Sequence, residues 1–201
     1  MSTYKFGSSF EYQNLSKNKC EPIEEHFRQS FQKHFYGNIY SHEINPKWSR
    51  VTIGANEKQI SLMLEIAEKW HGPYGILYVL LVPRLGHEDA RYQSPTHCTF
   101  DELELFAYTF QEYFEGDARH ELWIKDLSSE NQLVYDNHDL IYSYGNDNDI
   151  IDFLKTKGFI EGSLKIPDPH QHQYNQEYDN REDEIMEYFK WIKFPLKDND
   201  Y

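Results

Sequence analysis

Cysteine is scarce in this chain. Among 201 residues only Cys20 and Cys98 occur, so no disulfide framework holds the fold. Two reduced thiols in a reducing compartment are the simplest reading, with a single bridge as the alternative. Long hydrophobic runs are missing too. The longest, Ile76 to Pro83, is far too short to cross a bilayer. The N-terminal stretch MSTYKFGSSFEYQNLSKNK has no apolar core of the kind that marks a secretory signal. These absences lead to the expectation of a cytoplasmic protein with no membrane partner.

Several catalytic signatures are also absent. There is no GxGxxG or GxxxxGK[ST] loop to cradle a phosphate, and no GxSxG elbow. Two cysteines do not make a zinc finger. Basic residues are few and dispersed: 20 Lys and Arg face 34 Asp and Glu, for a net charge of −14. No cluster of cations tracks a groove, so nucleic acid is not expected as a partner. A strongly acidic chain favours a basic one.

What the chain does have is aromatic rings: 16 Tyr, 13 Phe and 4 Trp. Each ring buries a large area, so a 39% apolar content still builds a core. A chain of this length buries about 70% of its unfolded surface and fits a single domain. Residues 1–20 carry no sustained periodicity and read as a loosely packed arm bearing Tyr4, Phe6, Phe10 and Tyr12. A helix is expected from Pro22 to Phe35, stopped by Gly37. A strand follows at Trp48 to Ile53. Asn56 and Gln59 look like a capping pair for a helix through Lys69. Tyr74 to Pro83 lacks polar alternation and reads as a central strand. A short strand is expected near Arg91 to Gln93.

Thr99 and Glu102 form a capping box before one long helix with Phe100, Leu103, Phe106, Phe110, Tyr113 and Phe114 inward. His120 to Lys125 alternates as a half-covered strand. Leu133–Tyr135 and Leu140–Tyr144 make a hairpin around Asp136-Asn137-His138-Asp139. A short helix carries Ile150, Ile151, Phe153 and Leu154, with Gly158 at its end, and an edge strand is expected at 160–166. Pro167 to Asn175 reads as a loop, Glu182 to Lys193 as an amphipathic helix, and 195–201 as a frayed tail. The order points to an α+β fold: one domain over 1–201, with a mixed, mostly antiparallel sheet and helices packed mainly on one face.

Four groups of residues stand out chemically. His170 and His172 form an H-x-H pair near carboxylates, the ligand types for a divalent metal. In an extended segment residues two apart share a side, so both rings can reach one ion; two ordinary surface histidines are the alternative. Cys98, beside His97 and before the Thr99 cap, is the best place for a thiolate, and otherwise a small buried residue. Asp136, His138 and Asp139 are the raw material of acid–base chemistry, but the same residues are what a four-residue turn prefers. Between Tyr174 and Tyr188 acidic residues interleave with rings. Tyr174, Glu177, Tyr178, Asp179, Glu182, Asp183, Glu184 and Tyr188 form a candidate face for a basic protein partner.

The runs Leu133 to Gly145, Lys157-Gly158-Phe159 and Ile166 to Tyr174 resemble a pattern in uncharacterised bacterial proteins of this size. In size and charge the chain is similar to immunity proteins of bacterial toxin systems. The resemblance implies a non-enzymatic protein, without cofactor, that neutralises a basic toxin domain. The alternative is a metal-dependent hydrolase or oxygenase built on the His170/His172 loop.

Overall fold

The computed structural model describes residues 5–8 and 32–198. The strands are β1 (Phe6–Ser8), β2 (Gln32–Lys33), β3 (Ile39–Asn45), β4 (Trp48–Gly54), β5 (Tyr74–Leu80), β6 (Ala90–Gln93), β7 (His120–Asp126), β8 (Gln132–Tyr135), β9 (Ile141–Tyr144), β10 (Ile160–Glu161), β11 (His170–His172) and β12 (Ile192–Phe194). The helices are α1 (Gln59–Ala67), α2 (Phe100–Thr109), α3 (Gln111–Gly116), α4 (Asp147–Thr156) and α5 (Asp179–Tyr188). A nine-stranded sheet runs in the order β10-β3-β4-β9-β8-β7-β5-β6-β12, and β11-β1-β2 form a small second sheet. Among the described strands β10 lies parallel to β3 and the other pairs are antiparallel.

Side-chain alternation decides which face is covered. On β7, His120, Leu122, Ile124 and Asp126 are buried, while Glu121, Trp123 and Lys125 are half-buried. The inward set joins Val51, Ile53, Ile76, Tyr78, Leu133, Tyr135 and Ile141 in one core with residues of α1, α2, α3, α4 and α5. The helices therefore share one face, as the pattern of the sequence implies. The opposite face is only partly covered. There Phe6, Tyr36 and Leu140 pack with Tyr142 and Leu164 in a second cluster, which seats the small sheet beside β9.

Several elements differ from their sequence-based reading. Gln32–Lys33 is a strand, so the helix expected through Phe35 does not reach this far; its start lies outside the described residues. Part of the N-terminal arm is structural: Phe6 is fully buried and β1 pairs with both β11 and β2. Tyr4, Phe10, Tyr12 and Cys20 lie outside the described residues. Asn56 does not cap α1; its side chain accepts from the Gly37 N–H instead, and the Ile60 N–H is capped by Glu115 Oε1 at 2.9 Å. The Thr99/Glu102 capping box forms, but the long helix behind it breaks at Phe110 (φ −109°, ψ 12°) into α2 and α3. The loop at 167–175 contains β11, because β1 supplies it with a partner that local sequence does not reveal. The last helix starts at Asp179, and Ile192–Phe194 leave it to pair with β6.

His120 sits at the centre of this core. Its ring lies 4.3 Å from that of Tyr113, 5.2 Å from Phe114 and 5.6 Å from Tyr78, and neither nitrogen closes a hydrogen bond of ordinary geometry. Burial, reinforced by the Lys5 and Arg119 charges, holds its pKa well below the ordinary imidazole value. Below about pH 6.5 the unfolded chain protonates this histidine and the folded protein does not, so stability falls as pH falls. The slope from this one group is about 1.4 kcal/mol per pH unit. Replacing His120 by Phe is expected to flatten the loss of urea resistance between about pH 7 and about pH 5. An equally steep loss in His120→Phe contradicts this assignment.

Candidate metal centre

The turn between β8 and β9 is built by one carboxylate. Asp136 Oδ1 accepts from the His138 N–H and the Leu140 N–H, each at 2.9 Å, and the Asp136 N–H donates to the Leu140 carbonyl at 3.0 Å. Asp139 takes the left-handed conformation that closes the turn (φ 64°) and accepts from the Tyr135 hydroxyl at 2.6 Å. The turn reading of these residues is thus correct, and it has a consequence. The second oxygen, Asp136 Oδ2, lies 3.2 Å from His138 Nδ1 and accepts from the Tyr142 hydroxyl at 3.1 Å. The His138 ring is held by Nδ1, which leaves Nε2 for another partner.

The C-terminal segment delivers the other two rings. β1 and β11 pair with Phe6 opposite His172 and Ser8 opposite His170. The pairing extends through Gln173 N–H to the Lys5 carbonyl at 2.8 Å and Ala118 N–H to the Gln173 carbonyl at 2.9 Å. Two residues on, Asn175 is anchored by its N–H to Asp117 Oδ2 at 2.6 Å. It also accepts, through its carbonyl, from Arg119 Nη2 at 3.0 Å. His170 and His172 are thereby fixed against the 136–139 turn.

His138, His170 and His172 each offer a ring nitrogen such that the three atoms lie within 4.8 Å of one another. His170 Nδ1 lies 3.0 Å from the Pro167 carbonyl, so this nitrogen carries the proton and Nε2 has the free lone pair. His172 Nε2 is buried with no hydrogen-bond partner; Asn137 Nδ2 lies 3.4 Å from its Nδ1, so a metal bound through Nε2 would require the Asn137 amide to turn its oxygen to a protonated Nδ1. Burial, with the neighbouring His138 and His170, brings the His172 pKa down to about 4, so this ring is neutral at neutral pH. The Phe6 ring packs against all three at 5.3, 5.5 and 5.9 Å between centroids and gives them an apolar backing. Tetrahedral coordination at 2.0–2.1 Å would place ligand nitrogens about 3.3 Å apart, so the rings would have to close on the ion from their 4.8 Å span. The donor set therefore fits a borderline metal such as Zn²⁺.

The cluster opens into a cleft of about 830 Å³ on the uncovered sheet face. The cleft follows β8 from Gln132 past Val134 to His138 and His172, with Trp123 and Tyr142 as walls. Arg50 enters from β4, paired with Glu43 at 2.9 Å, its guanidinium 4.8 Å from the centre of the Tyr142 ring.

The acidic segment behaves differently from its sequence reading. Glu182 is fully buried, as are Arg119 and Asp117. Arg119 donates to Asp117 at 2.7 and 2.8 Å, to Glu182 at 2.8 Å and to Asp179 at 3.0 Å. Glu182 also accepts from the Arg84 and Leu85 N–H groups, and the Arg84 side chain holds Asp179 at 2.7 Å. Burial pulls the Arg119 pKa down, but these hydrogen bonds more than reverse it and keep the guanidinium charged. Glu182 thus faces inward, while Asp179 stays partly exposed and is engaged by Arg84 and Arg119. Tyr178 packs on Gly116, where an added Cβ would come within 2.6 Å of its hydroxyl oxygen. Asp183 is exposed but pairs with His87 at 2.7 Å, and Glu184 pairs with Arg181. Glu177, Tyr174 and Tyr188 keep exposed surface.

Cys98 is not a thiolate site. It is 3% exposed, and burial pushes its thiol pKa up. The sequence reading saw the H-x-H pair and the 136–139 turn as separate features. Their meeting, through β1, and the Arg119 network were both missed. An Arg flanked by apolar and acidic neighbours at the head of a strand was the available signal for the second; nothing local signals the first.

No family model matches the chain, and no curated protein or solved structure shows significant similarity to it.

The buried ion network has a measurable consequence. Removing one charge from it leaves Arg119 undercompensated, which costs about 3–5 kcal/mol. Glu182→Gln is expected to lose that much in urea denaturation at neutral pH, while the same change at exposed Glu187 stays within about 0.5 kcal/mol. Equal effects at the two positions would show that the network contributes no special stability.

Proposed function

We propose that this protein is a metal-dependent hydrolase whose metal is held by His138, His170 and His172. The observation that carries the reading is the convergence of three ring nitrogens within 4.8 Å at the end of a cleft. Three imidazoles without a carboxylate ligand suit Zn²⁺ better than the two-histidine, one-carboxylate arrangement of non-haem iron oxygenases. This favours hydrolysis over oxygenation within the metal alternative. A metal held by these three rings would have a position left for water and would supply a nucleophile at near-neutral pH by lowering that water's pKa. Asp136 and the Pro167 carbonyl orient two of the rings through their Nδ1 protons. The cleft orients the substrate, and Phe6 keeps the inner side of the cluster dry.

The competing reading, a surface that docks a basic protein, has fewer free carboxylates to draw on than the sequence suggests. Asp179 and Glu182 are engaged with Arg84 and Arg119.

The experiment is elemental analysis and calorimetric zinc titration of protein made without a histidine tag. One equivalent is expected, with affinity falling at least tenfold in His138→Ala and in His172→Ala. Asp136→Asn, which keeps the turn acceptor but weakens the hold on His138, is expected to weaken metal binding roughly 10–100-fold. Absence of stoichiometric binding, or affinity indifferent to all three changes, would overturn the proposal.

A further inference from the structure

We infer that the uncovered face of the large sheet is a binding groove for a neutral oligosaccharide, which it leads to the histidine cluster. The inference deepens the hydrolase reading and depends on it only for what happens at the cluster end.

The cleft continues beyond Gln132. A second cavity of about 330 Å³ shares Trp123, Lys125 and Gln132 with it and continues past β5 and β6 to Pro95 and His97. The combined path follows β8 and then crosses β7, β5 and β6, a span of roughly 20 Å at ordinary strand spacings. That is the footprint of a chain, not of one small molecule.

The floor says which kind of chain. It is the face of paired strands, so its backbone N–H and C=O groups are already used in the ladders and only side chains point outward. A peptide laid here would find no backbone partners, and extended peptides accordingly bind at sheet edges. A nucleic acid needs unpaired cations. Arg50 is held by Glu43, Lys125 lies 3.8 Å from Glu130, and the whole chain carries −14. A neutral sugar chain asks for neither. Its C–H faces stack on rings and its hydroxyls bind planar polar side chains.

Both are in place and fixed beforehand. The Trp123 indole donates to Glu121 at 2.8 Å, and the Arg91 guanidinium lies 5.0 Å from its ring centre. Tyr142 is tied to Asp136. Gln132, Gln93 and Thr96 supply amides and a hydroxyl along the path. Side chains already ordered lose little freedom on binding.

The test is a printed array of neutral, sulfated and sialylated glycans, followed by calorimetry with the best neutral hexasaccharide and its monosaccharide. Neutral chains are expected to bind and the monosaccharide is not. Trp123→Ala is expected to weaken binding at least tenfold. Gln132→Ala, at a half-buried strand position, is expected to weaken it several-fold and serves if the Trp123 variant does not fold. Sugar binding in a protein that takes no zinc removes the hydrolase reading and leaves the groove standing. Failure to bind any neutral glycan, binding of charged glycans alone, or wild-type affinity in both groove variants would overturn the inference.

Discussion

A single buried guanidinium organises the C-terminal third of this protein. Arg119 has no exposed side-chain surface and is met by Asp117, Asp179 and Glu182. A lone buried cation would be prohibitively costly, and so would three carboxylates packed together without it. Each therefore requires the other, and the chain between them is held in one place. The same network grips Asn175 at both its N–H and its carbonyl. Three residues earlier is His172. The position of the histidine loop follows from the position of Arg119.

From that anchor the site assembles by pairing. β11 finds β1, β1 brings Phe6 under the rings, and the β8–β9 turn supplies His138 with its orienting carboxylate. Three parts of the chain, near residues 6, 138 and 171, meet at one end of the sheet. The unpartnered, buried Nε2 of His172 is the point of tension in this arrangement, since buried polar atoms are ordinarily satisfied. A metal held there would relieve it. The one-sided placement of the helices completes the picture, because it leaves a sheet face open next to the cluster.

Much of the fold was legible in the sequence, and the reasons are local. The Thr99/Glu102 box, the alternation of His120 to Lys125 and the 133–144 hairpin are each specified by neighbouring residues, and each is present. The elements that escaped are those made by distant partners. β11 has two prolines just before it and becomes a strand because β1 pairs with it from the other end of the chain. β12 is exposed along its length and exists as an edge of β6. The site follows the same division. His170 and His172 stood out by spacing, and Asp136 and His138 by composition, but their convergence is a tertiary fact. The burial of Glu182 was illegible for a related reason: a sequence shows charges and not their partners, and the buried Arg119 lies 63 residues from Glu182.

The most direct measurement is X-ray absorption at the zinc edge of the protein loaded with one equivalent of Zn²⁺. The account predicts three imidazole nitrogens at about 2.0–2.1 Å with one oxygen ligand from water, and one fewer imidazole in His138→Ala. A first shell made only of oxygens, or an imidazole count that His138→Ala does not change, would contradict it.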